Sequence, residues 1–342
     1  MARRLNNHKG ERAAYKFSPD AIARASEERS EYRTENAPEL ILDDESAGVW
    51  IYRGDSLVLL ERISEKHPHG LFDLIFADPP YFLSDGGITC HAGRMVSVDK
   101  GEWDKISSVA EMHSFNRRWL ELCQKVLKPD GTIFVSGTAH VIHSVGFAMQ
   151  ELGFKLLNDI IWVKPNPPPN LSCRYFTHCS ETILWAAKGM KSKHRFNYQL
   201  MKSEANGRQM KSVWKDIQWD ETDIQTILEI MPPGPDEKRY GKHPTQKPVA
   251  LLTRIIQAAS EIGDFVLDPF LGSGTTAVAA IRLSRKVVGC ELSPEYADLA
   301  VKRIRSELEK SRDLPRGGGL QSVRQGPRQL SLYSKPPGRG AK

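Results

Sequence analysis

The sequence predicts an α/β protein built on a doubly wound, mostly parallel sheet. Short apolar runs alternate along the chain with segments whose apolar residues recur at helical spacing, which is the order that such a sheet requires. Two of these runs end in distinctive motifs, Asp78-Pro79-Pro80-Tyr81 after residues 72–77 and Asp268 to Gly274 after residues 265–267. Because open α/β sheets bind ligands at the carboxyl ends of their strands, we expect both motifs at one site.

The individual elements follow from local composition. Apolar runs bounded by turn residues predict strands over 72–77, 132–136, 157–163, 182–186, 265–267 and 286–290, the second of them after a turn at Pro129-Asp130-Gly131. Helical spacing predicts helices over 115–126, 249–261 and 277–283, and a last helix that Ser293-Pro294 opens with serine as its cap. The buried stripe of that last helix is expected to comprise Tyr296, Leu299, Ala300 and Ile304.

The length of 342 residues suffices for one large α/β domain with an insertion. We assign this domain to residues 46–310, preceded by a flexible or partly helical N-terminal extension over 1–45 and followed by a basic tail over 311–342. The tail carries seven basic residues against Asp313 alone, so it accounts for the whole formal charge of +6. Its glycines, prolines and serines predict disorder, with phosphate contact or simple solubility as its use.

Composition disfavours several classes of protein. No apolar stretch is long enough to span a membrane, and no apolar signal segment follows the basic start, so we expect a cytoplasmic protein. The five cysteines form no C-x-x-C pair, which favours reduced packing residues over a disulfide frame or a zinc site. The ten histidines show no H-x-x-x-H pattern, so we predict no metal site.

The tetrapeptide Asp78-Pro79-Pro80-Tyr81 has the chemistry needed to activate an exocyclic amino group of a DNA base. Such a nitrogen is a poor nucleophile because its lone pair is delocalised into the ring. The carboxylate of Asp78 and the carbonyl of Pro79 would accept hydrogen bonds from its N–H groups, and the two prolines remove competing backbone donors. Tyr81 supplies an aromatic face that restores roughly 1–3 kcal/mol of stacking to an extruded base. The alternative interpretation is a simple turn at the end of a strand.

The glycine-rich segment 268–276 predicts a site for a cofactor that contains adenosine. It is typical of a tight turn that opens a helix, where glycines admit close backbone approach and the helix N-terminus offers N–H donors to a carboxylate. Glu291 follows Asp268 by 23 residues, which is near the separation at which an acidic side chain reaches a ribose hydroxyl. A nicotinamide dehydrogenase is the rival, but the segment lacks G-x-G-x-x-G and that interpretation leaves the tetrapeptide unexplained. S-adenosylmethionine fits both motifs.

In this order the motifs resemble the β arrangement of the DNA amino-methyltransferases, in which the catalytic tetrapeptide precedes the cofactor loop. The resemblance covers roughly residues 46–310 and includes the hexapeptide His243 to Pro248 and a short Gly54-Asp55 motif. It implies a sheet of the S-adenosylmethionine-dependent methyltransferase type with an inserted target-recognition segment. It also implies transfer to N6 of adenine or N4 of cytosine.

The resemblance places the hexapeptide at the methionine end of the cofactor and Gly54-Asp55 near its adenine. Without the resemblance, Pro244 and Pro248 only bracket a rigid turn before a helix. The predicted catalytic residues are Asp78, Pro79, Pro80 and Tyr81. The predicted cofactor-binding residues are Asp55, Asp78, His243, Thr245, Lys247, Asp268, Phe270, Gly272, Ser273, Gly274, Thr275 and Glu291.

Two segments interrupt the strand–helix alternation, and we assign both to DNA binding. Residues 84–105 predict a long mobile loop beside the tetrapeptide, with Lys100, Trp103 and Lys105 as DNA contacts and a plain surface excursion as the alternative. Residues 188–241 are the predicted target-recognition segment, because they are rich in the Arg, Asn and Gln side chains that read base edges. The candidate contacts there are Arg195, Asn197, Arg208 and Lys211.

Residues 82–87, 96–105 and 166–181 further resemble the second adenine methylase of DpnII-type restriction systems, whose substrate is the adenine of GATC. This implies N6-adenine transfer to double-stranded and also unpaired DNA, with a cognate restriction endonuclease or a homodimer as further partners. N4-cytosine enzymes usually carry Ser at the position of Asp78, which favours adenine. Two other interpretations are a DNA-binding module without catalysis, disfavoured by the intact motifs, and protein glutamine methylation, which expects Asn in place of Asp78.

Overall fold

The computed structural model describes residues 37–81, 88–91, 94–97, 108–164, 167, 169–214, 232–241 and 243–313. The strands in these residues are β1 (Glu39–Asp44), β2 (Val49–Arg53), β3 (Phe72–Ala77), β4 (Ile88–His91), β5 (Arg94–Ser97), β6 (Leu127–Gly137), β7 (Lys155–Val163), β8 (Ser180–Ala187), β9 (Val213–Trp214), β10 (Phe265–Asp268) and β11 (Lys286–Glu291). The helices are α1 (Ser56–Lys66), α2 (Val109–Val126), α3 (Ile142–Glu151), α4 (Tyr198–Glu204), α5 (Val249–Ala259), α6 (Thr275–Arg282) and α7 (Pro294–Asp313). A short 3-10 helix spans Asp236–Lys238.

Nine of these strands form one sheet, in the order β1-β2-β11-β10-β3-β6-β8-β7-β9. Among them, β1 and β8 run against the direction that the others share. The predicted mostly parallel sheet is therefore confirmed. Its strands lie between two apolar cores, because strand side chains alternate between the two faces of a sheet.

One face of the sheet packs against α5, α6 and α7, through residues such as Leu252, Ala277 and Ile304. The other face packs against α1, α2 and α3, through residues such as Leu60 and Trp119. Helices thus cover both faces, as the doubly wound prediction requires. Fully buried parallel strands of this kind expose their backbone groups to a ligand only at their ends.

The strand order reverses between β3 and β10, which lie side by side and parallel in the sheet. From β3 the chain continues to β6 on one side, and from β10 it continues to β11 on the other side. Open α/β sheets form a ligand crevice at the carboxyl ends of such a strand pair. The tetrapeptide follows β3 and the glycine-rich segment follows β10, so both sequence motifs meet at this crevice.

Two predicted boundaries were wrong. The helix predicted over 115–126 begins at Val109, because Ser108 caps it by accepting a hydrogen bond from Glu111 N at 3.2 Å. Its first turn is exposed and so gave no apolar periodicity. The turn predicted at Pro129-Asp130-Gly131 lies inside β6, where the register against β3 shifts and pairing resumes at Thr132.

The ends of the domain also differ from the prediction. The segment assigned to the N-terminal extension contains β1, which pairs with β2 as an antiparallel edge strand; residues 1–36 lie outside the described residues. Helix α7 runs to Asp313, into the segment assigned to the tail, and Arg312 pairs with Asp44 on β1 at 2.5 Å. Residues 314–342 lie outside the described residues.

The segment predicted as a long mobile loop contains an antiparallel hairpin. Strands β4 and β5 pair in register from Ile88 opposite Ser97 to His91 opposite Arg94. The β-branched residues Ile88, Thr89 and Val96 favour this extended conformation. The remainder of the segment, including Lys100, Trp103 and Lys105, lies outside the described residues. In the described part of the chain, no helix is both long and apolar enough to cross a membrane.

Candidate active site

A cavity of about 220 Å³ opens at the carboxyl ends of β3 and β10. All of the predicted catalytic and cofactor-binding residues line it except Gly274, which lies directly behind it at the start of α6. Residues more than 150 positions apart in the chain, such as Asp78 and Glu291, are thus brought to one place. Within the described ranges, no group of three or more His, Cys, Asp or Glu side chains is arranged to hold a metal ion.

Asp78 stands at the wall of this cavity with both carboxylate oxygens engaged. Its Oδ1 accepts a hydrogen bond from the Tyr81 hydroxyl at 2.6 Å, and its Oδ2 lies 2.5 Å from the Lys247 ammonium. The Tyr81 hydroxyl also accepts a hydrogen bond from Lys247 at 3.0 Å. The tetrapeptide is therefore held by a side chain that comes from the distant hexapeptide.

The prediction for Lys247 was incomplete in this respect. The resemblance directs this residue to the methionine end of the cofactor, whereas the structure aims its ammonium at Asp78. Lys247 follows an extended turn and precedes α5, and its side chain is 6% exposed. Such a buried cation requires a partner, since an unpaired one would cost several kcal/mol in desolvation.

A second carboxylate, which the sequence analysis did not single out, belongs to the same cluster. Glu181 Oε2 lies 3.5 Å from the Lys247 ammonium and accepts a hydrogen bond from Ser136 Oγ at 3.4 Å, while Oε1 is paired with Lys164. The burial of alternate residues Glu181, Ile183 and Trp185 marks the inward face of β8. A carboxylate at an inward position of a strand was the signal that could have found it.

The electrostatics of the cluster favour the charged forms of Lys247 and Glu181. Burial acts to lower the pKa of Lys247, but Asp78 and Glu181 together raise that pKa well above its ordinary value. Burial acts to raise the pKa of Glu181, and the two lysines outweigh it and lower that pKa. For Asp78, burial outweighs the opposing effect of Lys247, and the pKa is raised. Lys247 therefore remains an ammonium in contact with the catalytic motif.

The glycine-rich loop joins β10 to α6 through two left-handed residues, Gly272 at φ +53° and Gly274 at φ +80°. A Cβ at Gly272 would lie 3.2 Å from the His243 ring, a tight contact that adds to the preference for glycine at this positive φ. Gly272 N donates to Glu291 Oε2 at 2.7 Å, and Ser293 N donates to Oε1 at 2.9 Å. Glu291 thus orients the loop as well as lining the cavity.

Asp268 anchors the same loop from within. Its Oδ1 accepts from Phe270 N at 3.0 Å and its Oδ2 accepts from the Thr276 hydroxyl at 2.5 Å. Burial raises the pKa of Asp268 to about 7. The carboxylate therefore links the end of β10 to the first turn of α6, in the wall of the cavity.

Arg303 is a further loop residue that the sequence analysis missed. From α7, its guanidinium donates to Ser273 O at 2.6 Å, Ser273 Oγ at 2.7 Å and Thr275 Oγ1 at 3.1 Å. It is only 6% exposed. Its position beside Ile304 on the predicted apolar stripe of α7 was the available signal, because a buried arginine in such a stripe must have partners.

The remaining predicted cofactor residues form the cavity rim. The His243 ring lies edge-on to Tyr296 with centroids 4.3 Å apart, and its Nδ1 accepts from Thr245 N at 3.3 Å. Asp55 caps α1 by accepting from Leu57 N at 2.8 Å. Phe270 packs against the edge of Trp119 with centroids 5.4 Å apart.

The predicted DNA contacts divide into two groups. Arg195 pairs with Glu261 at 2.8 Å, and the Asn197 amide donates to Gln257 O at 2.7 Å and Ser260 O at 2.9 Å. Those partners precede β10, so both residues lie at the amino-terminal edge of the strands, opposite the cavity. Arg208 and Lys211 are exposed and precede β9, which pairs in parallel with Ile161 and Trp162 at the carboxyl-terminal end of β7.

Comparison with known proteins gives consistent matches over this whole region. The family model for N6/N4 methyltransferases, described as DNA methylase, matches residues 72–302. The chain is 52% identical over 255 residues to the Type II methyltransferase M2.LlaDCHI of Lactococcus lactis subsp. cremoris, covering 74% of this chain and 88% of the relative. It is 52% identical over 248 residues to the Type II methyltransferase M2.DpnII of Streptococcus pneumoniae, covering 72% and 87%. Identity to M2.MboI of Moraxella bovis is 44% over 253 residues, covering 74% and 86%.

Solved structures agree on the fold. The crystal structure of the M1.HpyAVI–SAM complex superposes with a TM-score of 0.51 at 27% identity, covering 75% of this chain and 99% of that chain. The PvuII DNA methyltransferase, described as cytosine-N4-specific, superposes with a TM-score of 0.53 at 22% identity, covering 81% and 90%. At that identity, the second likeness bears on the fold alone.

Proposed function

Because the chain belongs to the DNA methylase family and is a site-specific DNA methyltransferase that uses S-adenosylmethionine, we propose that it transfers methyl to the N6 amino group of adenine. The observation that carries this proposal is the position of the Asp78 carboxylate. It stands in the wall of the cavity that also contains the glycine-rich loop. An acceptor amino group and a methyl donor would share that cavity.

Asp78 acts on the amino group as a hydrogen-bond acceptor. A carboxylate has about four lone-pair sites, so Asp78 can accept from an N–H in addition to its hydrogen bond from Tyr81. The carbonyl of Pro79 is the proposed second acceptor. With both N–H groups held, the nitrogen lone pair is directed toward the methyl donor. The carboxylate, rather than the serine usual in N4-cytosine enzymes, favours adenine over cytosine.

The residues present fit S-adenosylmethionine. The glycine loop gives close backbone approach, and a Cβ at Gly272 would already press on His243. We propose that Glu291 binds the ribose, that Asp55 lies near the adenine, and that His243 and Thr245 meet the methionine end. When bound, the cofactor supplies an electrophilic methyl group on its sulfonium. We assign Lys247 to Asp78 rather than to the cofactor, because of its 2.5 Å contact.

The proposed recognition sequence is GATC, on double-stranded and also unpaired DNA. The similarity to M2.DpnII and M2.MboI supports the recognition sequence. Action on unpaired DNA is supported by the base-flipping cost of a few kcal/mol, which an unpaired strand avoids. Arg208 and Lys211 remain proposed DNA contacts. Arg195 and Asn197 are no longer proposed as DNA contacts, because they bind groups at the edge of the sheet opposite the cavity. The Type II relatives also support a cognate endonuclease as a partner; a homodimer stays a prediction.

A restriction assay tests the sequence proposal. Genomic DNA from a host that expresses this chain, but no other GATC methylase, should resist a nuclease that GATC adenine methylation blocks. Host DNA without the gene provides the control. Complete digestion, together with modified adenines that map to another sequence, would contradict GATC while leaving the methyl transfer intact.

A further inference from the structure

Lys247 is shared by two carboxylates that come from different strands. Asp78 follows β3 and lies 2.5 Å from the ammonium, whereas Glu181 on β8 lies 3.5 Å from it. All three side chains are nearly buried, with exposures of 6% for Lys247, 12% for Asp78 and 8% for Glu181. The ammonium thus has a near partner and a second partner within reach.

The ammonium competes with the substrate for Asp78. A target amino group needs one of the Asp78 oxygens, and Oδ2 is in contact with Lys247 while Oδ1 accepts from Tyr81. Lys247 cannot withdraw into an apolar interior without another anion, because a buried unpaired cation is strongly disfavoured. Glu181 provides that anion, and it is fixed in place by Lys164 and Ser136.

We propose that Glu181 is a positioning residue that takes a larger share of the Lys247 ammonium when the target amino group binds Asp78. The inference rests on the proposed role of Asp78. Lys247 remains paired throughout, because its ammonium has to move only a short distance from Asp78 to come closer to Glu181. Glu181 touches neither base nor cofactor in this account and acts through Lys247.

The test is the substitution Glu181→Gln, which keeps the shape of the side chain and removes its charge. Lys247 should then stay on Asp78, so kcat should fall about tenfold or more while the dissociation constant of S-adenosylmethionine changes by less than about twofold. Glu181→Asp should restore part of the loss. Glu121→Gln is the matched control, because Glu121 forms comparable ion pairs with Lys125 and Arg118 on the surface of α2.

The pH profile separates this role from a merely structural one. The charged and titratable groups that act on Asp78 are Lys247, Glu181, Tyr81 and, more remotely, Asp268. Because Glu181 raises the pKa of Asp78, its removal should shift the acid limb of kcat to lower pH even as the plateau falls.

The outcomes are distinct. Unchanged kcat and an unchanged acid limb in Glu181→Gln would overturn the role of Glu181. Loss of cofactor binding or of thermal stability in both Glu181 variants would overturn it as well, in favour of a structural role. Full turnover by Asp78→Ala would instead overturn the proposed function on which the inference rests.

A separate observation concerns the loop between β7 and β8. Lys164 N donates to Cys179 O at 2.7 Å, which closes the loop next to Glu181 and therefore beside the catalytic cluster. At its tip Phe176 is 96% exposed and Tyr175 is 62% exposed. The tip has contacts within the loop: the Asn170 amide donates to Tyr175 O at 2.5 Å, and the Tyr175 ring lies 5.5 Å from that of His178.

Tyr175 and Phe176 are adjacent exposed aromatic side chains beside the cavity in which the target base is proposed to bind. Base flipping leaves a gap in the duplex, and DNA-binding proteins fill or open such gaps with apolar wedges. Arg174 precedes these aromatics and can meet phosphate. We infer that Phe176 inserts into the duplex at the target base pair and stabilises the extruded state.

The test compares two DNA duplexes that differ in one nucleotide. Phe176→Ala should lower kcat/KM about tenfold on a fully paired duplex, and by less than about twofold on a duplex with an abasic site opposite the target base. Phe147→Ala is the control, because Phe147 is 56% exposed on α3. Equal losses on both duplexes, or no loss on the paired duplex, would overturn the assignment.

Discussion

Asp78 and Lys247 are 169 residues apart in the chain, yet the carboxylate Oδ2 of the first lies 2.5 Å from the ammonium of the second. The contact joins the catalytic tetrapeptide to the hexapeptide that precedes α5. It explains how two sequence motifs separated by most of the domain form one chemical unit. It also makes the charge state of Asp78 depend on a residue that sequence reasoning had given to the cofactor.

Asp78→Ala should abolish methyl transfer, with a loss of about 1,000-fold or more, because the amino group loses its acceptor. Binding of S-adenosylmethionine should remain largely intact, since the glycine loop is untouched. Incorporation of labelled methyl into DNA and calorimetric titration of the cofactor measure the two effects. Asp159→Ala, at an exposed position of β7, serves as the control. Equal turnover by Asp78→Ala and the parent under saturating DNA would remove Asp78 from the mechanism.

Gly272→Val should raise the dissociation constant of S-adenosylmethionine about tenfold or more. The substitution places a branched side chain at φ +53° and against the His243 ring at 3.2 Å. Gly207→Val is a matched control, because Gly207 has φ +79° but a Cβ at that position would meet nothing within 4 Å. If both variants bind the cofactor like the parent, the loop is not the cofactor site.

Arg303→Met should weaken cofactor binding about tenfold and destabilise the protein by roughly 2–3 kcal/mol, because buried groups of the loop lose a charged donor. Arg305→Met, at an exposed position of the same helix, should do neither. Thermal unfolding with and without S-adenosylmethionine measures both effects. A stabilisation by cofactor that is equal in the Arg303 variant and the parent would show that the guanidinium does not organise the loop.

Asp268 should make stability depend on pH in the opposite sense from most carboxylates. Burial raises the pKa of Asp268 from 3.8 to about 7, so the folded protein keeps a proton that the unfolded chain loses between those values. The contribution of this group to stability therefore falls as the pH rises from 3.8 to about 7, and is constant above. Asp268→Asn should flatten the unfolding temperature across that window, and an unaltered slope would contradict the assignment.

The sequence predicted the sheet and the site because the relevant signals are local. Continuous apolar runs indicated buried parallel strands, and the motifs after β3 and β10 indicated a ligand crevice at the ends of these two strands. The helix start at Val109 was missed because it depends on the Ser108 cap and not on apolar spacing. Edge strand β1 was missed because none of its residues is fully buried.

The charged cluster was less predictable, because it depends on contacts between distant elements. Glu181 and Arg303 each occupy an inward position of an apolar pattern. Such a position indicates that the charged side chain is buried, but it does not identify the residue that pairs with it. Arg195 and Asn197 were misplaced for the converse reason. Their side-chain types suit base recognition, but the topology puts them at the opposite edge of the sheet, where they bind the end of α5 and the turn before β10.

The most direct test of the central claim is the identity of the methylated nucleoside. DNA that contains GATC is incubated with the protein and S-adenosylmethionine labelled in its methyl group, digested to nucleosides and analysed by mass spectrometry. The account predicts label in N6-methyladenine with the parent chain and none with Asp78→Ala. Label in N4-methylcytosine, or label in N6-methyladenine that persists undiminished in Asp78→Ala, would contradict it.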